Sequence, residues 1–441
     1  MYYKRIVDDI LKEKFKYIGG VYVKGPKWVG KTTTCLNYAK KFYRLTSSST
    51  FAEVKRYLDI NPELIFNKPT PILFDEWQVF PQIWNECKIF IDEAEPSENG
   101  LVILTGSNEL SLEEKRKYIK HSGLGRISQV LMRPMSLYES KDSNGKISLL
   151  SLFDPNTNIT WVTSSLTYYD IVHLTVRGGF PDSLNCSKNE EGNVSREIID
   201  NLINDFDSDA EEFKNRTPLE KARMSAILKE LARNTSSLTT YSKMLNNINS
   251  KEDFSISERT FLRYRNLLAR KYLIEEIAPW SSAFKSRSNI IASPKKIFID
   301  PSLAIAALNL TFDDLIERPI DFCIFFENLA IRDLSVYASV INGKIYHYRD
   351  RNGLEVDAVL KLNNGKYALI EIKTGGQNAI QQAKEHLLKV KNEIIKHNEN
   401  LSDKSMELSL PDALIILEGS LNTALTTKDG IHIVPIGCLK P

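Results

Sequence analysis

The segment Gly25-x4-Gly30-Lys31-Thr32 constrains the fold of this chain more than any other feature. It matches the phosphate-binding loop, in which glycines let backbone amides wrap phosphates, lysine contacts the β and γ oxygens and a threonine hydroxyl ligates Mg²⁺. An apolar run over 17–24 precedes it and a helical pattern over 32–43 follows. A strand, this loop and a helix predict an α/β domain that binds ATP or GTP with Mg²⁺. The predicted nucleotide ligands are Gly25, Pro26, Gly30, Lys31, Thr32 and Thr33.

Polar residues follow two further apolar segments. The segment 71–74 ends in Asp75 and Glu76, and the segment 101–104 is followed by Ser107 and Asn108. Carboxyl ends of parallel strands meet at one edge of a sheet, so these side chains should lie near the loop. We predict that Asp75 holds Mg²⁺ together with Thr32, and that Glu76 activates the attacking water. Asn108 or Ser107, which the pattern does not separate, would contact the γ-phosphate or that water from a strand between the other two.

Helical patterns over 219–231 and 257–270 precede two alternating segments over 273–277 and 296–299. Helices followed by a hairpin are typical of a winged helix-turn-helix. Between 256 and 296, nine Lys or Arg stand against three Glu, a local charge of 9 − 3 = +6 in a chain with a net charge of +2. This concentration favours contacts with DNA phosphates, although winged helices also dock proteins. The predicted nucleic-acid contacts are Arg259, Arg263, Lys285 and Arg287.

Acidic residues and a lysine cluster in the C-terminal part. Glu371 and Lys373 lie two apart on a predicted strand and therefore share a face, and a turn can bring Asp357 beside them. Two carboxylates can hold Mg²⁺ while the lysine steadies an attacking water. Glu327 would be a further metal ligand, and Glu355 shares the strand face of Asp357. The predicted elements are a helix over 326–337, strands over 344–348, 355–362 and 367–372, and a helix over 378–396.

This arrangement resembles the PD-(D/E)XK nuclease core, and the chain as a whole resembles a known family. The ordered motifs KGPKWVGKTT, ILFDEWQ, LVILTGSNEL, SGLGRIS and LMRPMSLYES are similar to those of prokaryotic AAA+ ATPases that carry a C-terminal nuclease-like domain. The resemblance implies that Arg126 acts as an arginine finger, in its own chain or across a subunit interface of a homo-oligomer. Lys27 and Trp28 replace the usual Arg-Gln of that family.

The fold class predicted from these features is α/β: an AAA+-like P-loop parallel sheet, then a helical and winged-helix region, then a PD-(D/E)XK-like domain. A chain of 441 residues suits several domains. No stretch of ~18 apolar residues and no leader pattern is present, so we expect a cytoplasmic protein without a membrane partner. The predicted boundaries are 1–140 for the ATPase core, 141–215 for a helical lid or linker, 216–310 for the winged helix and 311–441 for the nuclease-like domain.

Two functions are compatible with this reading of the residues. The first is a Mg²⁺-dependent ATPase coupled to DNA binding, with Glu76, Lys31, Arg126, Asn108 and Lys373 as catalytic residues and with DNA cleavage left open. The second is an ATP-dependent signalling or defence-type switch that binds a protein partner and whose C-terminal domain does not cleave. A fold of the nuclease type can bind without cutting, so the fold does not decide between them.

Overall fold

A computed structural model describes residues 2–95, 97–187, 190–204, 217–280, 293–350, 353–401 and 407–441. The chain forms two compact units. The described residues of unit 1 are 2–134, without 96, and 265–273; those of unit 2 come from 135–264 and 274–441. The fold is mixed α/β, as the sequence predicts, with a parallel sheet in the N-terminal unit and a second sheet near the C-terminus.

Unit 1 is built on a five-stranded parallel sheet in the order β2-β3-β4-β1-β5. Its central strands are buried along their whole length, which is expected of a parallel sheet covered on both faces. The elements are α1 (Ile6–Lys14), β1 (Gly20–Lys24), α2 (Lys31–Leu36), β2 (Lys41–Arg44), α3 (Ser48–Ile60), α4 (Glu63–Phe66), β3 (Ile72–Asp75), α5 (Ile83–Glu93), β4 (Val102–Gly106), α6 (Leu112–Tyr118) and β5 (Ile127–Leu131).

The sheet order confirms that β4 lies between the P-loop strand and the Asp75 strand. The predicted helix over 32–43 is wrong in its second half, because α2 ends at Leu36 and 41–44 form the edge strand β2. Pairing with β3 decides the conformation of this segment. Tyr43 is buried there and stacks on Phe74, with ring centroids 5.4 Å apart. A tertiary contact thus outweighs the local helical pattern.

Unit 2 begins with helices and ends in a second sheet. The elements that start in 135–340 are β6 (Ile147–Ser148), α7 (Tyr168–Arg177), α8 (Asn193–Asn204), α9 (Pro218–Arg233), α10 (Tyr241–Lys251), α11 (Glu258–Arg270), β7 (Ile274–Ile277), β8 (Lys295–Phe298), α12 (Pro301–Ala307), α13 (Phe312–Glu317) and α14 (Pro319–Val340). Strands β7 and β8 pair antiparallel, so three helices are followed by a hairpin, the order that the sequence predicts. The last six residues of α11 and the three residues after it, 265–273, cluster with unit 1.

The C-terminal sheet has six strands in the order β13-β14-β12-β11-β10-β9. Its elements are β9 (Gly343–Arg349), β10 (Glu355–Leu362), β11 (Tyr367–Lys373), α15 (Gln377–Glu399), β12 (Ala413–Glu418), β13 (Leu425–Thr426), β14 (Ile431–Pro435) and β15 (Leu439–Lys440), the last of which pairs with β6 instead. The predicted strands and helices up to α15 are present. Sequence reasoning missed β12 and β14, although the apolar runs Ala413–Leu417 and Ile431–Val434 are a strand signal.

A fully buried ion cluster joins distant parts of unit 2. The Arg332 guanidinium on α14 donates to Asp300 Oδ2 at 2.8 Å and to Asp333 Oδ1 at 2.8 Å. Asp333 also accepts from the Leu137 amide at 2.9 Å, and Asp300 accepts from the Gly179 amide at 3.0 Å. Each carboxylate therefore anchors a loop more than a hundred residues away in the chain.

Candidate functional site

The phosphate loop leaves β1 through two glycines whose conformations other residues would not adopt easily. Gly25 lies against the backbone of Met132, and an added Cβ would be 2.2 Å from the Met132 carbonyl oxygen. Gly30, with φ 91°, caps the N-terminus of α2 in the left-handed region. Pro26 is buried and Thr33 is exposed. The loop is therefore fixed by its backbone, and Lys31 and Thr32 follow at the start of the helix.

Lys31 is buried within the loop that it completes. It is 5% exposed, and its Nζ donates to the Pro26 carbonyl at 2.8 Å. Burial lowers the pKa of Lys31 to about 8, against the opposing effect of Glu76 and Asp75. An ammonium that burial leaves poorly compensated favours a bound anion, because phosphate oxygens supply the missing negative charge. The loop can thus offer Lys31 to the phosphates of a nucleotide.

Asp75 and Thr32 form the pair that the sequence predicts for Mg²⁺. The Thr32 hydroxyl donates to Asp75 Oδ1 at 2.6 Å, and the Thr105 hydroxyl donates to the same oxygen at 2.6 Å. Asp75 is 4% exposed. A hydroxyl beside a carboxylate at the carboxyl edge of the sheet fits Mg²⁺, a hard cation that prefers oxygen ligands. Thr105, at the end of β4, was not predicted as a partner of Asp75. Its position in the polar segment 105–108, which also contains Ser107 and Asn108, could have indicated it.

Glu76 is held beside the same edge of the sheet. Its backbone is in the left-handed region at φ 57°, and its amide donates to Thr105 Oγ1 at 3.2 Å. Oε2 accepts from the Ser107 hydroxyl at 2.8 Å and from the Ser107 amide at 3.2 Å, and Gln78 Nε2 donates to the same oxygen. Donors from the segments that follow β3 and β4 therefore orient this carboxylate. A carboxylate that positions or deprotonates a water needs a fixed orientation of this kind.

Asn108 and Ser107, which the sequence did not separate, have different surroundings. Ser107 binds Glu76, as described above. Asn108 is 5% exposed, and its Oδ1 has no hydrogen-bond partner among the described residues. A buried amide oxygen without a hydrogen-bond partner is energetically costly, so this oxygen is suited to accept a hydrogen bond from a ligand or a water. Of the two residues, Asn108 is thus the one with a free polar atom, and its contact with a nucleotide stays a prediction.

Arg5 supports the loop from outside the motif. It is 3% exposed, and its guanidinium donates to the Val29 and Arg133 carbonyls, each at 2.7 Å. These bonds tie the P-loop backbone to the chain that follows β5. Sequence reasoning missed Arg5, and no local signal exists for it because its partners are 24 and 128 residues away.

Arg126 lies at the opposite edge of the parallel sheet. Its carbonyl accepts from Gly20 N, at the start of β1, whereas the phosphate loop follows the end of that strand. Its half-exposed side chain pairs with Asp92 at 2.5 Å, and the pKa of Asp92 is lowered by Lys88 and by Arg126. Four residues of strand separate the two edges, about 13 Å. In this arrangement Arg126 lies away from the phosphate loop of its own chain, and its role as an arginine finger stays a prediction.

The C-terminal carboxylates lie together in unit 2. Lys373 Nζ is 2.8 Å from Asp357 Oδ2 and 2.6 Å from Glu371 Oε2, and the Ile372 amide donates to the same Asp357 oxygen. The turn at 363–365 brings β10 and β11 together as predicted. Glu355 forms a half-exposed pair with Arg349 at 2.6 Å, and burial alternates from Glu355 to Asp357, as expected if the two share a strand face.

Lys295, which was counted as part of a basic surface, enters this cluster from β8. Its Nζ lies 2.5 Å from Glu327 Oε1 and 2.9 Å from the Asp357 carbonyl oxygen, and its side chain is 7% exposed. Burial raises the pKa of Glu327 to about 7 and that of Glu371 to about 8, opposed by the lysines. Among the described residues, no group of three acidic, His or Cys side chains is arranged to hold a metal ion. As arranged here, the predicted ligands Glu327, Asp357 and Glu371 do not fit Mg²⁺.

The basic patch is smaller than the sequence count indicates. Four of its nine members are buried or engaged within the protein: Arg270, Lys271, Lys295 and Lys296. Arg270, for example, donates to the Glu109 carbonyl at 2.8 Å, and Lys296 Nζ donates to Pro294 O and lies over the Tyr241 ring. Charges used in this way cannot neutralise DNA phosphates.

The remaining members lie on α11 or outside the described residues. Arg259 is exposed near the start of α11, and Arg263 and Arg265 are partly exposed on the same helix. Lys285 and Arg287 fall outside the described residues. At most three arginines in the described part of α11 can therefore face an anionic partner, or five basic residues if both of those contribute. Of the three, Arg263 also lies over the Tyr264 ring, and Arg265 donates to Asn266 Oδ1 at 3.0 Å.

Three protein-family models match consecutive parts of the chain. An AAA domain matches residues 19–141, and two domains of unknown function, DUF8612 and DUF4143, match residues 168–314 and 324–439. The AAA match covers the loop, both motif strands and the sheet described above. Residues 19–141 are therefore similar to an AAA domain, and they contain the P-loop and the parallel sheet.

Solved structures with a similar chain course are distant. The Walker-type ATPase PABY2304 of Pyrococcus abyssi is 14% identical over 69% of this chain and 96% of its own, with a TM-score of 0.41. The ORC2 protein of Aeropyrum pernix in its ADP form is 12% identical over 74% of this chain and 93% of its own, with a TM-score of 0.33. Similarities of this size carry no argument about function. Comparison with curated proteins finds no match. In the described part of the chain, every helix is too short or too polar to span a bilayer.

Proposed function

We propose that the protein is a Mg²⁺-dependent ATPase that hydrolyses ATP in unit 1. The observation that carries this proposal is the convergence at one sheet edge of buried Lys31, the Thr32–Asp75 pair 2.6 Å apart and the Glu76 carboxylate held by Ser107. These groups respectively suit phosphate binding, metal binding and water activation. The match of residues 19–141 to an AAA domain supports the same chemistry.

In this proposal the chain contributes three actions to the reaction. The loop backbone and Lys31 bind the β- and γ-phosphates, and Mg²⁺, when bound at Thr32 and Asp75, supplies charge neutralisation on those phosphates. Glu76 orients a water and accepts its proton as the water attacks the γ-phosphorus. Ser107 and Gln78 position the Glu76 carboxylate, and Asn108 offers its amide oxygen to the water or to a ligand.

Replacing Lys31 with alanine should weaken ATP binding by about 10- to 100-fold, the range expected for one charge-assisted hydrogen bond in a buried site. The fold should be retained, because the substitution removes a buried charge rather than a packing group. Equilibrium dialysis with ATP and Mg²⁺ on the purified full chain measures the change.

Lys24→Ala is the matched control for the Lys31 variant. Lys24 precedes the same loop, but its Nζ donates to Gln129 Oε1 at 2.9 Å. It should bind ATP as the wild type does. If the two variants bind equally, or if the wild type retains no nucleotide, the assignment of the phosphate site is wrong.

The second part of the proposal is that unit 2 binds DNA through the start of α11. Exposed Arg259 and partly exposed Arg263 support it, together with the helices followed by a hairpin. In a winged helix the corresponding helix would lie in the major groove, where such residues contact phosphates and base edges. Because four of the nine basic residues are engaged elsewhere, we propose a modest electrostatic contribution.

The salt dependence of DNA binding tests the size of this surface. Three to five phosphate contacts predict a slope of log K against log salt of about −3 to −4.5, whereas nine would give about −8. The double variant Arg259→Ala/Arg263→Ala should reduce the slope by about 2. Fluorescence anisotropy with a labelled duplex at several salt concentrations measures it, with Lys55→Ala on α3 as a control that keeps the slope. A slope near zero for the wild type would indicate that DNA is not the partner.

One observation favours the second candidate function, an ATP-dependent switch whose C-terminal domain does not cleave. The lysines that pair with Glu327, Asp357 and Glu371 leave these carboxylates poorly suited to a divalent ion. The switch is distinguished from the DNA-dependent ATPase by measuring ATP turnover with and without duplex, branched and single-stranded DNA. Turnover that no DNA changes, with no DNA cut, would support the switch.

A further inference from the structure

The C-terminal cluster of unit 2 contains three carboxylates and two ammonium groups. Lys373 bridges Asp357 and Glu371, at 2.8 and 2.6 Å. Lys295 pairs with Glu327 at 2.5 Å and also donates to the Asp357 carbonyl at 2.9 Å. The two lysines thus reach all three acidic residues.

The position of Lys295 in the cluster is set by the buried hairpin of β7 and β8, on which this residue lies. All four residues of β8 are buried, and Lys295 lies opposite Ile277 in the pairing of β7 with β8. Its neighbour Lys296 is directed elsewhere, to the Pro294 carbonyl and the Tyr241 ring. The strand therefore fixes which of two consecutive lysines meets the carboxylates.

Buried carboxylates need a compensating positive charge, because desolvation of each ion costs several kcal/mol. A divalent cation can supply that charge only if the carboxylate oxygens are free to ligate it. Here the ammonium of Lys295 occupies Glu327, and Asp357 Oδ2 already accepts from Lys373 and from the Ile372 amide. A divalent cation placed among these carboxylates would also be repelled by the ammonium groups of Lys295 and Lys373.

We propose that Lys295 serves as a built-in cation of this cluster, so that the hairpin excludes a divalent metal from it while Lys295 remains in place. The carboxylates are then compensated without a metal, and the site takes one only when Lys295 is removed or displaced. This role does not depend on ATP hydrolysis in unit 1.

Mn²⁺ binding to the nucleotide-free full chain tests the proposal, because Mn²⁺ prefers carboxylate ligands and its free form is detected by electron paramagnetic resonance. The wild type should show no Mn²⁺ binding that depends on Asp357, as judged against Asp357→Asn. Lys295→Met should gain one Mn²⁺ per chain, and the double variant with Asp357→Asn should lose it. Lys296→Met is the matched control and should gain nothing.

Thermal unfolding gives a second readout. Lys295→Met should melt at a lower temperature than the wild type, because Glu327 loses its partner, and Mn²⁺ should restore part of the loss in this variant alone. A folded Lys295→Met that binds no additional Mn²⁺ overturns the proposal. The proposal is also overturned if the wild type binds a Mn²⁺ ion that the Asp357→Asn variant does not bind. That comparison needs no Lys295 variant, so it holds even if Lys295→Met does not fold.

Discussion

ATP hydrolysis by the Glu76→Gln variant is expected to be slower than that of the wild type by a factor of ~10² to 10⁴, the usual contribution of a general base. ATP binding should be retained, because Lys31, Thr32 and Asp75 are unchanged. The glutamine oxygen can still accept from the Ser107 hydroxyl and amide, which bind Glu76 Oε2 at 2.8 and 3.2 Å. The side chain would thus keep its orientation and lose only its ability to take a proton.

Single-turnover phosphate release and equilibrium ATP binding on the same preparations measure the two effects separately. Glu63→Gln, an exposed carboxylate at the start of α4, is the matched control and should hydrolyse ATP normally. The hydrolysis rate of Ser107→Ala should lie between those of Glu76→Gln and Glu63→Gln, since this substitution removes one hydrogen-bond donor to Glu76 and keeps the base. Hydrolysis by Glu76→Gln at a rate close to that of the wild type would remove Glu76 from the mechanism and leave nucleotide binding by the loop intact.

Replacement of Arg332 by methionine is expected to lower the free energy of unfolding of unit 2 by about 3 to 5 kcal/mol, the cost of leaving buried charges without their partner. Arg332 is 1% exposed in its side chain, and Asp300 and Asp333 are 0% exposed. Methionine is close in length and fills much of the space. The loss would therefore reflect mainly two uncompensated carboxylates, together with weakened anchoring of Leu137 and Gly179.

Denaturation of the full chain in urea, followed by circular dichroism, measures this loss in the transition of unit 2. The triple variant Arg332→Met/Asp300→Asn/Asp333→Asn removes the charges together and should lose much less stability than the single variant. Burial already raises the pKa of Asp333, although Arg332 opposes it. Without the arginine, the Asp333 carboxyl group should be further stabilised in its neutral form, so the single variant should be less impaired at pH 5 than at pH 8. A loss below about 1 kcal/mol would show that the cluster is not a principal support of this unit.

Local patterns predicted the nucleotide site more completely than the surfaces around it. The P-loop, the Asp75-Glu76 pair and the polar end of β4 are short segments whose partners lie at one edge of a parallel sheet, and the rule for strand ends brings them together. The same rule could not reveal Arg5 or assign Thr105, because their roles depend on single hydrogen bonds across the sheet. It also could not place Arg126, since the position of a residue along its strand decides at which edge it lies.

The C-terminal part shows the same division. The two-residue period placed Glu371 and Lys373 on one face, and the turn at 363–365 brought Asp357 beside them, as β10 and β11 now do. The period did not reveal that Glu355 pairs with Arg349, its partner across β9 and β10. Counting charges along the chain also overstated the basic surface, because four of the nine residues are used inside the protein.

By itself, the sequence determined the place of the phosphate loop in unit 1, because such a loop is made by consecutive residues whose backbone conformations depend on glycines within the motif. It also determined the order of the helices and most of the strands through their apolar periods. Only the tertiary structure decided with which groups each charged side chain interacts. Lys295 and Lys296 are neighbours with the same chemistry, yet one meets Glu327 and the other Tyr241. The electrostatic energy of a charge depends on its burial and on partners remote in the chain, and folding alone sets both.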